Sequence, residues 1–220
     1  MQITESRYAG VYQGKDWLLT PNRVPGSSVY GEPLYHHGGQ EFRPWNPYRS
    51  KLAALLKIGC PVFPFTSGTR VLYLGAGTGT TVSHLSDLLS EGRIYAVEIS
   101  EVNFRDLLEL SQTRGNIVPL LQDARQPSSY ARLVEPCTVL YQDVAQPDQE
   151  KILEKNLGFL AEGGVVFFMI KARSIRVGEE PGAIYQEMEG SVRGLGLEIL
   201  GLVPLEPFEM DHAALVAKKA

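Results

Sequence analysis

The chain has 220 residues, of which 44% are hydrophobic and 21% are charged, and its formal net charge at pH 7 is −4. This composition excludes a disordered chain, and apolar runs such as VVFFMI at 165–170 are far too short to span a bilayer. The net negative charge argues against a protein that binds nucleic acid unaided. The first 70 residues carry eight Lys and Arg against four Asp and Glu, so this part is either an ordinary solvated surface or a face turned towards a polyanion.

The two cysteines, Cys60 and Cys137, lie far apart in the sequence and form no CxxC pair. This favours core or near-core thiols of a reduced protein over a disulfide or a metal site, and no metal site is predicted. The first residues, MQITESRYAG, lack the basic start and apolar middle of a secretory signal. We therefore expect a cytoplasmic protein.

Residues 1–55 are rich in Gly, Pro and Tyr and predict a small β-rich domain. GVYQ and DWLLT are candidate strands, and PNRVPGSS and HHGGQ are turn signals. From about residue 50 the pattern changes, and SKLAALLKIG predicts a helix that is capped by Ser50 and ends near Gly59. We assign residues 56–220 to a second domain.

Strands and helices alternate through this second domain, which predicts a parallel sheet covered on both faces. LEILGLVPL and ALVAKK are separated only by EPFEMDHA, which is too short for a parallel crossover and predicts an antiparallel hairpin at a sheet edge. The other candidate strands are 71–74, 93–99, 116–121, 138–143 and 165–171, and the candidate helices are TTVSHLSDLLS, SEVNFRDLLELSQTR, PSSYARLV, PDQEKILEKNLGFL and PGAIYQEMEGSVRGL.

The stretch VLYLGAGTGTT joins the first of these strands to a helix through Gly75, Gly77 and Gly79. The dinucleotide fingerprint GxGxxG is not met, because Thr80 stands where its third glycine would be. A GxGxG turn suits a cofactor whose amino-acid portion and ribose lie against the loop, as in methyltransferases that use S-adenosyl-L-methionine. The alternative is a tight turn with no ligand.

Acidic residues follow three successive strands of the predicted sheet. Glu98 ends the second strand, where a carboxylate can accept hydrogen bonds from both hydroxyls of a ribose. Asp123 follows the third strand and is placed to accept from the exocyclic amine of an adenine, and Asp143 ends the fourth. Because the carboxyl ends of parallel strands meet at one edge, the three acids together favour an adenosine-bearing cofactor.

Lys171 ends the strand VVFFMIK at the same edge as Asp143. Methyl transfer from a sulfonium to a hydroxyl needs the oxygen aligned with the methyl carbon and its proton removed. A desolvated lysine can act as that base, or it can stay charged and stabilise the developing alkoxide, and an adjacent carboxylate would hold it in place. The sequence does not choose between these roles, and a solvated strand-end lysine is the remaining alternative.

Over nearly its whole length the chain resembles the archaeal fibrillarin-like RNA 2′-O-methyltransferases. The resemblance implies a Rossmann-like methyltransferase fold, in which a mostly parallel seven-stranded sheet has an antiparallel edge strand, together with a small N-terminal β domain. It also implies methylation of rRNA and tRNA by the catalytic subunit of a particle that contains a Nop5-type protein, an L7Ae-type protein and a box C/D guide RNA. The matching motifs are VYGEPLY, PYRSKLAALLK, VLYLGAGTGTTVSHLSDLL, IYAVEIS, NIVPLLQDAR, YQDVAQPDQEKIL, IKARSI and EPFEMDHAALV.

The same resemblance implies a set of site residues. Ile99 stands where the family typically has an aromatic residue, which implies aliphatic contact with the adenine, and Gly77 stands where alanine is common. Gln122 and Gln142 stand directly before Asp123 and Asp143, where the family more usually has a glycine and an acid. The implied catalytic residues are Lys51, Asp143, Lys171 and His212. The cofactor-binding residues, with two glycines of the turn included, are Gly75, Gly77, Thr80, Thr81, Glu98, Ile99, Asp123, Ala124, Asp143, Val144, Ala145 and Gln146.

If the guide RNA and the other proteins carry most of the RNA binding, an acidic chain needs only a local basic path beside its active site. Three alternatives remain open: a small-molecule methyltransferase, a nicotinamide-dependent oxidoreductase, which the glycine spacing disfavours, and a structural subunit that has kept the fold and lost catalysis. The residues expected to contribute to the basic path are Arg43, Arg49, Lys51, Lys171, Arg173 and Arg176.

Overall fold

A computed structural model describes residues 2–220, and five short strands between Thr4 and Trp45 form a small antiparallel sheet. The strands are β1 (Thr4–Glu5), β2 (Tyr12–Gln13), β3 (Leu18–Pro21), β4 (Tyr35–His37) and β5 (Gln40–Trp45). Their order in the sheet is β1-β2-β3-β5-β4. The two candidate strands GVYQ and DWLLT correspond to β2 and β3, so the predicted β-rich character of this part is confirmed.

Helix α1 (Lys51–Ile58) follows the small sheet and begins and ends where the sequence predicts. Ser50 Oγ accepts a hydrogen bond from the backbone N–H of Ala53, and Gly59, at a φ of 147°, ends the helix. Residues 52–56 are all buried, so the middle of the helix is enclosed on every side. The core around it contains residues of the small sheet and of the following sheet, and the predicted domain boundary at residue 55 stays a prediction.

A second sheet of seven strands contains most of the remaining chain. Its strands are β6 (Arg70–Leu74), β7 (Arg93–Glu98), β8 (Ile117–Leu121), β9 (Cys137–Gln142), β10 (Leu160–Lys171), β11 (Leu197–Pro204) and β12 (His212–Lys219). They lie in the order β11-β12-β10-β9-β6-β7-β8. The five strands from β10 to β8 are parallel, whereas β12 is antiparallel to both β10 and β11. The predicted fold is therefore confirmed, including the antiparallel pairing near one edge.

The chain order reverses between β6 and β9, because β7 and β8 continue on one side of β6 and β9 lies on the other. In open parallel sheets, ligands bind in the crevice that this reversal opens at the carboxyl ends of the strands. Two apolar clusters cover the two faces of the sheet and keep these strand ends in fixed positions.

The other helices are α2 (Thr80–Leu88), α3 (Glu101–Thr113), α4 (Gln149–Asn156), α5 (Ala172–Ile175) and α6 (Pro181–Gly194). The predicted helix PSSYARLV is wrong, because only a 3-10 turn forms at Pro127–Ser129. The buried Tyr130 hydroxyl instead donates to Asn156 Oδ1 at 2.5 Å, which holds this segment against α4. The predicted helix over 147–160 is also shorter than expected and ends in a 3-10 turn at Leu157–Phe159. No helix within residues 2–220 is both long and apolar enough to cross a membrane.

Asp87 of α2 forms the centre of a buried ionic network between the two sheets. Its carboxylate lies 2.8 Å from the guanidinium of Arg43 on β5 and 2.5 Å from that of Arg114, and these three side chains are at most 1% exposed. Arg43 also donates from Nε to Glu32 at 2.6 Å. The prediction that Arg43 contributes to a basic path for RNA is therefore wrong, because this guanidinium is enclosed and fully paired.

His84, one turn before Asp87 on α2, is fully buried at the same interface. Its Nδ1 lies 2.8 Å from Thr20 Oγ1, its Nε2 lies 2.8 Å from the Tyr30 hydroxyl, and its ring stacks on Trp45 at 5.0 Å. Burial lowers the pKa of His84 well below 6.5, and the positive charges of Arg43 and Arg114 lower it further. The imidazole is therefore neutral in the folded protein.

Because His84 is buried and neutral, the free energy of unfolding should depend on pH below the pKa of histidine in the unfolded chain. Because the unfolded chain binds a proton at His84 below about pH 6.5 and the folded chain does not, the free energy of unfolding should fall by up to about 1.4 kcal/mol per pH unit below that value. Urea unfolding at pH 7.0 and pH 5.2 measures this loss, and carboxylates with lowered pKa values contribute only at lower pH. In His84→Gln the slope over this window should largely disappear, and an unchanged slope would contradict the assignment.

Candidate active site

The turn between β6 and α2 contains three glycines with positive φ, and at two of them a side chain would also meet a close neighbour. Gly75, Gly77 and Gly79 have φ values of 82°, 57° and 93°, which favour glycine. A Cβ at Gly75 would lie 2.5 Å from the carbonyl oxygen of Asp143, and a Cβ at Gly79 would lie 2.6 Å from Leu110 Cδ2. At Gly77 a Cβ would meet open space. The turn thus packs closely on β9 and α3 and leaves room beside Gly77.

We expect Gly75→Ala to lower the free energy of unfolding by about 2–4 kcal/mol, because the left-handed backbone is strained for alanine and the added methyl meets a backbone carbonyl. Gly77→Ala is the matched control, since it has a positive φ but open space, and should cost about 1–2 kcal/mol. Urea unfolding of the two variants measures the difference. Equal losses of unfolding free energy in the two variants would show that the close approach of the added methyl group to the Asp143 carbonyl has no effect.

Glu98, the last residue of β7, is held against the glycine turn. Its Oε2 accepts from the backbone N–H of Gly77 at 2.7 Å, and its Oε1 accepts from that of Ser100 at 2.8 Å. Ser100 in turn caps α3 through its side chain. Each carboxylate oxygen keeps a further lone pair, so Glu98 can still accept hydrogen bonds from a ligand.

A cavity of about 400 Å³ lies at the carboxyl ends of β6, β7, β8 and β9, where the chain order reverses. All twelve residues predicted to bind a cofactor line it: Gly75, Gly77, Thr80, Thr81, Glu98, Ile99, Asp123, Ala124, Asp143, Val144, Ala145 and Gln146. Lys171 lines it as well, and so does Arg49 of the expected basic path.

Several lining residues were missed from the sequence. Ala76 and Thr78 lie within the glycine turn, and Asn103 and Arg125 follow the ends of β7 and β8. Their positions in the turn and after the strand ends are the only features of the sequence that could have identified them as cavity residues. Arg125 donates to Gln146 Oε1 at 2.6 Å and pairs with Asp148 at 3.0 Å, which ties the loop after β8 to the loop after β9.

Asp143, directly after β9, lies between two lysines at the edge of this cavity. Its Oδ1 is 3.0 Å from Lys171 Nζ and 3.3 Å from Lys51 Nζ, and the three side chains are 14–17% exposed. Lys171 Nζ also donates to the carbonyl oxygen of Asp143 at 3.2 Å. Burial raises the pKa of the Asp143 carboxyl, but the charges of Lys51 and Lys171 more than offset this, and the pKa lies below its usual value.

His212, the first residue of β12, is paired in register with Lys171 of β10. Its Nδ1 lies 2.6 Å from the carbonyl oxygen of Met210. A carbonyl only accepts, so Nδ1 carries the hydrogen of this contact. The structure thus brings Lys51, Asp143 and Lys171 into contact and places His212 on the neighbouring strand.

The residues expected to form a basic path differ in their availability. Arg49 is exposed, and its guanidinium lies over the Tyr30 ring at 5.2 Å. Arg173 pairs with Asp211 at 2.9 Å, and Arg176 pairs with Glu179 and Glu187. Arg173 and Arg176 are about half exposed, and their charges are partly neutralised by these carboxylate partners.

The donor set of the cavity fits S-adenosyl-L-methionine. Glu98 offers carboxylate oxygens to a ribose, the open space beside Gly77 admits a ligand close to the backbone, and the half-exposed Ile99 offers an aliphatic surface. Within residues 2–220 no group of three His, Cys, Asp or Glu side chains is arranged to hold a metal ion. The sheet order, the glycine turn and the acid that ends β7 define the Rossmann-like fold of S-adenosyl-L-methionine-dependent methyltransferases.

Comparison with known proteins places the chain within this class. The model of the Fibrillarin family matches residues 3–220. The chain belongs to the fibrillarin family, and the resemblance drawn from its motifs is confirmed.

Relatives and solved structures agree over nearly the whole length. The fibrillarin-like rRNA/tRNA 2′-O-methyltransferase of Methanothermobacter thermautotrophicus is 46% identical over 211 residues, which cover 96% of this chain and 94% of the relative. The structure of Aeropyrum pernix fibrillarin with natively bound S-adenosyl-L-methionine superposes with a TM-score of 0.91 at 45% identity, covering 99% of this chain and 98% of the other. A fibrillarin from a fibrillarin/Nop5p complex gives a TM-score of 0.89 at 41% identity, with 96% and 98% covered.

Proposed function

We propose that this protein methylates ribose 2′-hydroxyls of rRNA and tRNA, with S-adenosyl-L-methionine as the methyl donor, at nucleotides selected by box C/D guide RNAs. The observation that carries the proposal is the contact of Lys51 and Lys171 with Asp143 at the edge of a cavity that fits this cofactor. The names of the curated relatives, rRNA/tRNA 2′-O-methyltransferases, support the same reaction.

The twelve lining residues predicted from the sequence are the proposed cofactor site. Glu98 would accept hydrogen bonds from the ribose hydroxyls, and Asp123 would accept one from the exocyclic amine of the adenine. The amino-acid portion would lie against the backbone around Gly77. The bound cofactor supplies a methyl group on a sulfonium. The chain's own task is to place the acceptor hydroxyl in line with that methyl and to manage its proton.

Lys171 is the proposed group that meets the acceptor oxygen. Its ammonium has three N–H donors, of which one donates to the Asp143 carbonyl, and it lies 3.0 Å from Asp143 Oδ1 as an ion pair. A donor is left for a 2′-oxygen as negative charge develops there, which favours electrostatic stabilisation over proton abstraction. Asp143 and Lys51 fix the ammonium, and His212 completes the proposed catalytic set. Because Lys171 stays charged, the proton of the attacking hydroxyl is released to solvent.

The proposed partners are a Nop5-type protein, an L7Ae-type protein and a box C/D guide RNA, in the cytoplasm. The fibrillarin/Nop5p complex supports the first of these, and the family resemblance suggests the others. With a net charge of −4 and Arg43 buried, the isolated chain is expected to bind free RNA weakly and to lose that binding steeply with salt.

Stepwise reconstitution of the particle tests this proposal. Transfer of labelled methyl from S-adenosyl-L-methionine to a matched target RNA is measured with the chain alone and after stepwise addition of the Nop5-type protein, the L7Ae-type protein and the guide. We expect transfer only in the complete mixture. If the cofactor binds by calorimetry but no guided RNA is methylated, the cofactor site stands and the acceptor is a different molecule. Binding of NADH in place of S-adenosyl-L-methionine would overturn the cofactor assignment itself.

A further inference from the structure

Gln149, the first residue of α4, has a fully buried side chain that lies against the backbone of Lys171. Its Nε2 donates to the carbonyl oxygen of Lys171 at 3.3 Å, and its Oε1 accepts from the N–H of Lys171 at 3.2 Å. One amide side chain thus engages both backbone polar groups of one residue, as a neighbouring strand would.

The sheet explains why Lys171 needs such a partner. The pairing of β10 with β9 ends at Phe168 and Gln142, three residues before Lys171, while the pairing with β12 continues to Lys171 and His212. The backbone of Lys171 therefore loses its partner strand on the β9 side, and backbone groups in a buried setting need replacement hydrogen bonds. The Gln149 amide supplies both of them.

Gln149 is itself fixed from β9. Gln142 Nε2 donates to the Gln149 carbonyl oxygen at 2.7 Å, and Gln142 directly precedes Asp143. The loop 143–148 is therefore attached to Lys171 at both ends. At one end Asp143 binds the ammonium, and at the other Gln149 binds the backbone of the same lysine. Part of this loop lines the cofactor cavity.

We propose that Gln149 is a positioning residue for methyl transfer, which sets the backbone of Lys171 so that its ammonium reaches both Asp143 and the acceptor oxygen. This inference rests on the proposed function. Without the amide, the end of β10 keeps only the pairing to β12, and the ammonium at the end of a long side chain amplifies any shift of the backbone. Displacements of about 1 Å from the reacting geometry can lower turnover about hundredfold.

Gln149→Met tests this role, since methionine has a similar length and neither donates nor accepts at comparable strength. In the reconstituted particle, with RNA and S-adenosyl-L-methionine saturating, we expect turnover to fall about tenfold to hundredfold. The Kd for S-adenosyl-L-methionine, measured by calorimetry, should stay within about threefold, because Gln149 acts on the lysine and does not line the cavity. Gln149→Glu keeps an acceptor for the Lys171 N–H but loses the donor, and its turnover should be intermediate.

Asn116→Leu is the matched control. Asn116 is also a buried amide, and it donates to the carbonyl oxygens of Ser86 and Leu89 at the far end of the sheet. Its replacement should lower the Tm without changing turnover of the folded protein. If Gln149→Met turns over like the parent, or if Asn116→Leu loses turnover equally, the positioning role is overturned.

The parent particle is assayed in the same series, which separates this inference from the proposed function. A parent that fails to methylate guided RNA contradicts the function, whereas an active parent with an equally active Gln149→Met contradicts only the role of Gln149. If Gln149→Met does not fold, Gln149→Glu is judged by the same two readouts, turnover and Kd. Parent-like turnover in that variant would then overturn the inference.

Discussion

Lys171→Met is expected to lower guided methyl transfer by about two to four orders of magnitude, because the ammonium that would face the acceptor oxygen is removed. The change also leaves Asp143 with Lys51 as its remaining ammonium partner. Turnover in the reconstituted particle at saturating S-adenosyl-L-methionine measures the loss. Calorimetry should show that the variant still binds the cofactor, since the glycine turn and Glu98 are untouched.

Lys151→Met provides the matched control for this result. Lys151 is an exposed lysine on α4, so the same substitution removes a charge of the same sign away from Asp143. Its turnover should equal that of the parent. A Lys171→Met particle that methylates at the parent rate would remove Lys171 from the reaction. It would also favour the alternative of a subunit that has kept the fold and lost its own catalysis.

Asp87→Ala is expected to lower the free energy of unfolding by about 3–5 kcal/mol, because two enclosed guanidinium groups lose their shared carboxylate. Arg43 would keep Glu32 as a partner, while Arg114 would keep only polar contacts, to Ser83 and Asn22. Urea unfolding at neutral pH measures the loss. The loss of unfolding free energy should not shrink at high salt, since the network is shielded from solvent.

Glu189→Ala is the comparison on the protein surface. Glu189 pairs with Arg193 at 2.8 Å on α6, but the Arg193 side chain is 64% exposed. Loss of this pair should change the free energy of unfolding by about 0.5 kcal/mol or less. Similar small losses in Asp87→Ala and Glu189→Ala would contradict the view that the Asp87 network stabilises the contact between the two sheets.

The cofactor cavity was predictable because topology alone brings its residues together. Once β6 to β9 are recognised as parallel strands, the residues after each strand meet at one edge whatever the loops between them do. Glu98, Asp123 and Asp143 therefore converge with the glycine turn, although they lie 45 residues apart in sequence from first to last.

The residues that lie outside this rule were not predictable from spacing. Lys51 comes from helix α1, which precedes the sheet, and His212 begins an antiparallel strand, so only the family resemblance identified them. The prediction that Arg43 contacts RNA is wrong, because a buried arginine is recognised only through its partner, and Asp87 lies 44 residues away. Gln149 carried no signal, since its role depends on where the pairing of β9 with β10 ends.

Exchanging the guide RNA and mapping the methylated nucleotide tests most directly whether this protein is a guided 2′-O-methyltransferase. One target RNA is offered to the complete particle with either of two box C/D guides that select different nucleotides, and the positions of 2′-O-methylation are mapped. We expect the modified nucleotide to change with the guide and Lys171→Met to abolish both modifications. Methylation at a fixed position with either guide, or without any guide, would contradict this expectation.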